Sequence, residues 1–200
     1  MRDELVAGIV LCGGRSTRMG TPKALLPFEG ETMLQRVVRL LGTAVSPVAV
    51  VAAAGQTLPP LPRDVIVTHD ERENRGPLEG LRAGLGALPV EIEAAYVTSC
   101  DAPMLVPPFV ARLVQLLGGF DIAVVEVDGE MHPLSAVYRR RTLPQIASLL
   151  AADRLRMVDL LERVNTRRVP AEEMRAVDPD LATLRNLNTP EEYQRALAGR

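Results

Sequence analysis

The feature that most constrains this chain is a six-residue apolar run, Val6 to Leu11, that stops at a glycine pair, Gly13-Gly14. A continuous apolar run of this length, closed by a turn signal, reads as a strand buried on both faces. The pattern recurs. Val48 to Ala54 and Val65 to Thr68 read as a second and a third buried strand, Ala95 to Thr98 as a fourth, and Asp121 to Val127 as a fifth. Amphipathic helices alternate with them. Glu31 to Leu41 sets Met33, Leu34, Val37, Val38 and Leu41 on one face and Gln35, Arg36 and Arg39 on the other, with Gly42 as a stop. Leu78 to Leu88 aligns Leu78, Leu81, Leu85 and Leu88, and Pro107-Pro108 opens a further helix. Asp128-Gly129 marks a turn from which Met131 to Tyr138 is expected to return antiparallel. Beyond Tyr138 the spacing is helical, over Leu143 to Leu150 and Met157 to Val164. The last helix starts with Thr189 as cap, Pro190 in the first position and Glu192 as the partner of a capping box.

Buried strands alternating with such helices define an α/β fold, a mainly parallel sheet covered on both faces. There is no internal repeat and no Gly/Ser-rich linker, so residues 1–200 read as one domain. Hydrophobic residues make up 47% and charged residues 24%, ordinary for a globular chain, and the net charge of −2 argues against a general nucleic-acid binder. The opening MRDELVAGIV carries acids ahead of any apolar run, unlike a signal peptide, and no apolar stretch reaches the roughly 18 residues that span a bilayer. With two cysteines, Cys12 and Cys100, the expectation is a cytoplasmic protein with free thiols, bound to neither membrane nor nucleic acid.

In open α/β sheets ligands bind beyond the carboxyl ends of the strands. The places to search are therefore Leu11 onward, Thr68 onward and Ser99 onward. After the first strand, two adjacent glycines allow close backbone approach, and successive N–H groups there can form an anion-binding nest. Arg15, Arg18 and Lys23 add three cations in nine residues, which suits a triphosphate. The spacing is neither that of the P-loop nor that of the dinucleotide fingerprint. An ordinary βα turn with solvated basic residues fits the same pattern. After the fourth strand, Asp101 in Cys100-Asp101-Ala102-Pro103 is placed to hold a hard cation such as Mg²⁺ together with substrate phosphates, or simply to cap the turn.

The segment LCGGRSTRMGTPKALLPFEGETML, Leu11 to Leu34, resembles the L-x-G-G-x-S-x-R-M-G-x-x-K-x-L-L-x-x-x-G nucleotide-binding segment of the molybdenum-cofactor guanylyltransferases and their relatives. That family usually reads L-A-G-G, and Cys12 here replaces the alanine. The resemblance implies a Rossmann-like three-layer αβα nucleotidyltransferase fold, with an antiparallel β element near the acceptor site. It assigns Leu11, Cys12, Gly13 and Gly14 to the nucleotide, and Arg18 and Lys23 to its triphosphate. Cys100-Asp101-Ala102-Pro103 is similar to the family's C-D-x-P, in which the Asp binds Mg²⁺, so Arg18, Lys23 and Asp101 form the implied catalytic set. Gly76-Pro77-Leu78-Glu79-Gly80 resembles G-P-L-x-G, which puts Pro77, Leu78 and Gly80 beside the guanine and Asp70 on the nucleoside. His69 reads as a loop residue.

His132-Pro133-Leu134-Ser135-Ala136-Val137-Tyr138 resembles the family's H-P-x-x-A-x-Y near the acceptor. His132 either binds an acceptor phosphate or ends a strand. Asn186-Leu187-Asn188-Thr189-Pro190 looks like N-x-N-T-P. The two amides, two residues apart, face one side of an extended segment, and they either meet the pterin or only shape entry to the last helix. The resemblance implies transfer of GMP from GTP to the phosphate of molybdopterin or Mo-molybdopterin, with Mg²⁺ and loss of pyrophosphate. It also implies transient contact with molybdopterin-handling proteins. A cytidylyltransferase for the same pterin reads L-A-A-G in the loop. Gly14 and Gly76-Pro77-Leu78 point instead to guanine, and Lys23 with Asp101 argues against a non-catalytic nucleotide binder. A strand order of 3-2-1-4 would bring Cys12 and Cys100 together as reduced packing residues.

Overall fold

The computed structural model describes residues 5–13, 22–70 and 75–199. Gly14 and Arg18 lie outside the described residues. In chain order the elements are β1 (Val6–Leu11), β2 (Pro27–Phe28), β3 (Glu31–Thr32), α1 (Met33–Gly42), β4 (Val48–Ala52), β5 (Ile66–His69), α2 (Gly76–Ala87), β6 (Ala94–Ser99), α3 (Pro107–Leu117), β7 (Ile122–Val127), β8 (Glu130–Arg139), α4 (Leu143–Ala151), α5 (Met157–Leu161), β9 (Thr166–Pro170), α6 (Ala171–Arg175) and α7 (Pro190–Leu197). The main sheet runs β5-β4-β1-β6-β8-β7-β9, and β2 and β3 form a separate small hairpin. β1 is parallel to β4 and β6, and β5 is parallel to β4. The first four strands of the main sheet thus take the order 3-2-1-4.

β8 lies antiparallel between β6 and β7, the return that the Asp128-Gly129 turn predicts. Both turn residues have positive φ, 50° and 82°. The small hairpin β2-β3 is unforeseen, and in the main sheet so is β9, parallel to β7 at the sheet's edge. The third strand also differs from expectation. β5 is the opposite edge of the sheet, so its residues alternate between half-buried and exposed, with Val67 46% exposed.

Helices cover both faces. On one, α1 and α3 bury Val37, Val38, Leu41, Phe109, Val110 and Leu113 against Val10, Val50 and Tyr96. On the other, α2 and α4 bury Leu78, Leu81, Leu85, Ile146 and Leu149 against Ile9, Leu11, Val51 and Val97. Two glycines allow this close fit around β1. A Cβ on Gly8 would lie 2.5 Å from Leu41 of α1, and one on Gly84 of α2 would lie 2.7 Å from Ile9 of β1. Each burial of a leucine-sized side chain stabilises the fold by about 1.5–3 kcal/mol. α1 and α7 begin with full capping boxes, Thr32 with Gln35 and Thr189 with Glu192.

Candidate active site

The carboxyl ends of β1, β4, β5 and β6 lie side by side. Lys23 follows the glycine loop in a short 3₁₀ turn, Lys23–Leu25. Its Nζ donates to Asp101 Oδ2 at 2.6 Å and to Asn188 Oδ1 at 2.8 Å. Segments separated by 78 and 165 positions therefore meet at one ammonium group. The Asp101 side chain is only 13% exposed. Its Oδ1 accepts from the Ser99 hydroxyl, and its backbone carbonyl accepts from Leu187 N at 2.9 Å. Leu187 packs with Phe28 and Met33, which ties the Asn186–Asn188 segment to α1 and the small hairpin.

Asp70 follows β5 directly. A Cβ on Gly13 would lie 3.0 Å from Asp70 Oδ2, and one on Gly80 would lie 3.4 Å from Asp70 Oδ1. The Gly13 spacing is tighter than ordinary van der Waals contact and the Gly80 spacing is at its limit, so the Asp70 carboxylate fits closely between Gly13 and α2. Asp70 Oδ1 is buried without a hydrogen-bond partner among the described residues. Burial raises the Asp70 pKa, and the nearby Glu79 carboxylate raises it further, while His69 opposes both. Glu79 is 3% exposed and accepts from Arg82 at 2.8 Å. Pro77 is exposed in the first turn of α2, while Leu78 and Gly80 are buried. His69 is the exposed last residue of β5.

Cys12 and Cys100 are free and buried, one residue beyond the paired Leu11 and Ser99. Contact with the Cys12 thiol, then burial, pushes the Cys100 thiol well above its usual range. Gln56, which the sequence does not single out, holds the start of the glycine loop. Its Nε2 donates to the Cys12 carbonyl at 3.0 Å, and its Oε1 accepts from Ala53 N at 2.9 Å. Only a glutamine in the turn after β4 signals this, and many surface turns carry one.

The antiparallel register of β8 brings its first half to the end of β6 that carries Asp101. His132 lies there, half-buried, with its pKa lowered by burial against a smaller opposing effect of Glu130. The ladder between β7 and β8 is irregular at this point, between Val124 and Glu126. Asn186 is half-buried and Asn188 exposed. The structure thus brings Lys23, Asp101 and Asn188 into contact, and Gly13, Asp70 and Gly80 into a second group beside Leu11 and Cys12.

No group of three or more His, Cys, Asp or Glu side chains among the described residues would cage a metal. A hard divalent ion here would have Asp101 as its protein ligand and fill its remaining positions from phosphates and water, the ligand set that Mg²⁺ prefers. The donor set of the site fits such an ion. No described helix is long and apolar enough to cross a membrane.

Residues 8–167 match the family model described as MobA-like NTP transferase domain. The molybdenum cofactor guanylyltransferase of Desulfosudis oleivorans is 34% identical over 200 residues, covering 98% of this chain and 96% of that one. The probable molybdenum cofactor guanylyltransferase of Mycobacterium marinum is 37% identical over 188 residues, covering 92% of this chain and 89% of that one. The crystal structure of molybdopterin-guanine dinucleotide biosynthesis protein A from Archaeoglobus fulgidus superposes with a TM-score of 0.80 at 20% identity, over 97% of each chain, which is a likeness of fold.

Proposed function

Because the chain belongs to the family of MobA-like NTP transferase domains, we propose that this nucleotidyltransferase is a molybdenum cofactor guanylyltransferase. It transfers GMP from GTP to the terminal phosphate of molybdopterin, or of its molybdenum-loaded form, and releases pyrophosphate. The observation that carries the reading is the meeting of Lys23, Asp101 and Asn188 at the carboxyl end of β6. This is a cation for a triphosphate, a carboxylate for a divalent ion and an amide for an acceptor.

The reaction forms a bond between an acceptor phosphate oxygen and the α-phosphorus of GTP. The bond from that phosphorus to the bridging oxygen of the β-phosphate breaks, and its electron pair leaves with pyrophosphate. The acceptor oxygen is already anionic, so no side chain has to remove a proton. The protein's task is to bring two anions together and neutralise them. Lys23, Arg18 and the backbone amides of Gly13 and Gly14 bind the triphosphate. Leu11 and Cys12 carry the loop, Asp70 receives the nucleoside, and Pro77, Leu78 and Gly80 border the guanine. Asp101 would hold Mg²⁺, which would neutralise charge on the reacting phosphate. His132, Asn186 and Asn188 face the acceptor. Residues 1–200 act as one cytoplasmic domain, in transient contact with molybdopterin-handling proteins.

The test is a thermal-shift titration with GTP, CTP, ATP and UTP in Mg²⁺, followed by pyrophosphate release with GTP and molybdopterin. A ligand held only by the folded state raises the melting temperature by mass action. GTP is expected to give the largest shift and to support release. A larger shift with CTP would make the protein the cytidylyl relative. Binding without pyrophosphate release would make it a nucleotide-binding protein without catalysis.

A further inference from the structure

The acidic stretch from Pro170 to Thr183 resembles nothing in the family's motifs, yet it carries two deeply buried polar side chains. Asp178 is 4% exposed and Thr183 is fully buried. The Asp178 carboxylate accepts three hydrogen bonds from one turn. Ala182 N reaches Oδ1 at 2.9 Å, Thr183 N reaches Oδ2 at 2.9 Å, and the Thr183 hydroxyl donates to Oδ2 at 2.7 Å. The turn is tight, with Leu181 in the left-handed region at φ 49°.

The Thr183 hydroxyl gives its proton to Asp178, so its lone pairs are free to accept. Val106 N donates to it at 3.0 Å. Val106 ends the loop that begins at Asp101 and precedes α3, whose first two residues, Pro107 and Pro108, have no N–H to offer. The same loop is held from the other side by Arg36, whose Nε donates to the Pro103 carbonyl at 2.8 Å. Four residues beyond Thr183, Leu187 N donates to the Asp101 carbonyl at 2.9 Å. The chain from Asp178 to Asn188 therefore grips the Asp101 loop at both ends, at Val106 and at Asp101 itself.

We infer that Thr183, oriented by the buried carboxylate of Asp178, is a positioning residue that keeps the loop bearing Asp101 in register with the segment bearing Asn188. This rests on the proposed roles of Asp101 and Asn188 for its catalytic consequence, though not for the grip itself. Valine at position 183 has the same shape and can neither donate to Asp178 nor accept from Val106. Serine does both and loses only a methyl group.

The experiment compares Thr183→Val with Thr183→Ser by amide hydrogen exchange and by steady-state guanylyl transfer. In Thr183→Val, exchange at Leu187 should accelerate about tenfold or more, and kcat should fall roughly ten- to hundredfold, the range for residues that orient a metal ligand from behind. The KM for GTP should stay within about twofold. Thr183→Ser should match wild type in both readouts. Val106 loses its own acceptor in Thr183→Val, so Leu187 is the informative amide. If Thr183→Val does not fold, Thr183→Ala makes the same test, because alanine also lacks the hydroxyl that donates to Asp178 and accepts from Val106. Equal Leu187 exchange, or equal kcat, in the valine and serine variants would overturn the inference. A wild type without guanylyl transfer would instead refute the functional reading, and Leu187 exchange would still decide the grip.

Discussion

Lys23 and Asp101 lie 2.6 Å apart, with side chains only 17% and 13% exposed. The cation assigned to the triphosphate and the carboxylate assigned to the metal therefore hold each other. A partly buried pair of this kind leaves a charge stranded when one partner is removed. Lys23→Met and Asp101→Asn should each lower stability by about 1.5–3 kcal/mol, the range for hydrogen bonds to charged groups. The double variant should cost less than their sum, with a coupling of about 1 kcal/mol or more. Chemical denaturation of the four proteins checks this. Additive losses would mean that the pair contributes nothing in solution.

Asp101→Asn separates a metal ligand from a turn cap. Asparagine caps about as well as aspartate, so a capping role predicts unchanged activity. A role in holding Mg²⁺ predicts a fall in kcat of roughly a hundredfold or more, since loss of about 3 kcal/mol from transition-state stabilisation is about two powers of ten. Guanylyl transfer measured over a Mg²⁺ titration, with circular dichroism to monitor the fold, distinguishes the two. Near-wild-type turnover with the same Mg²⁺ requirement would remove Asp101 from the metal site.

The central strands are legible in the sequence because burial on both faces leaves an unbroken apolar run, as in Val6 to Leu11. The edges are not. β9 reads Thr166-Arg167-Arg168-Val169-Pro170 and needs only Val169 inside, while Arg167 spends its guanidinium on the Leu116 carbonyl and Glu173. Two arginines in five residues look like a solvated loop. Lys23 and Asp101 can be singled out in the sequence because a motif carries each of them. Their partnership cannot, because it depends on how strands separated in sequence become neighbours. The burial of Asp101 follows from the same cause. Leu187, which bonds its carbonyl, and Asn188, which shares its Lys23 partner, come from the far end of the chain. Asp178 and Thr183 lie in a stretch without periodicity, where only the folded turn shows what they hold.

Cys12 and Cys100 are 4% and 6% exposed, so the native protein should resist thiol reagents. The thiolate is the reactive form, and the raised Cys100 pKa keeps that thiol protonated at neutral pH. At pH 7.5 a disulfide-exchange reagent should find almost no thiol within minutes, and two after unfolding in guanidinium chloride. Rapid native reaction of either thiol would show that the glycine loop opens readily. Absence of both after unfolding would show a disulfide.

Asp70 offers a test in which stability and function move in opposite directions. Burial, with the Glu79 carboxylate adding to it, raises the Asp70 pKa above its value in the unfolded chain, and His69 offsets this only in part. A raised carboxyl contributes stability that is fully present below the unfolded pKa and is lost as pH rises through the folded one. At pH 7 the ionised Asp70 is therefore a cost to the fold. Asparagine keeps the shape, remains neutral, and fits the same space beside Gly13 and Gly80. Asp70→Asn should melt higher than wild type at pH 7, by about 2 °C if the gain approaches 1 kcal/mol. The difference should close as pH falls into the carboxylate range, where wild type also becomes neutral. GTP affinity should fall about tenfold, because a hydrogen bond to a charged acceptor is worth roughly 1.5–3 kcal/mol. Calorimetry of both proteins from pH 4 to pH 8, with GTP titrations at pH 7, measures all three effects. A lower melting temperature for Asp70→Asn at pH 7 would show that the Asp70 charge is satisfied in the folded state, and unchanged GTP affinity would take Asp70 out of the nucleoside site.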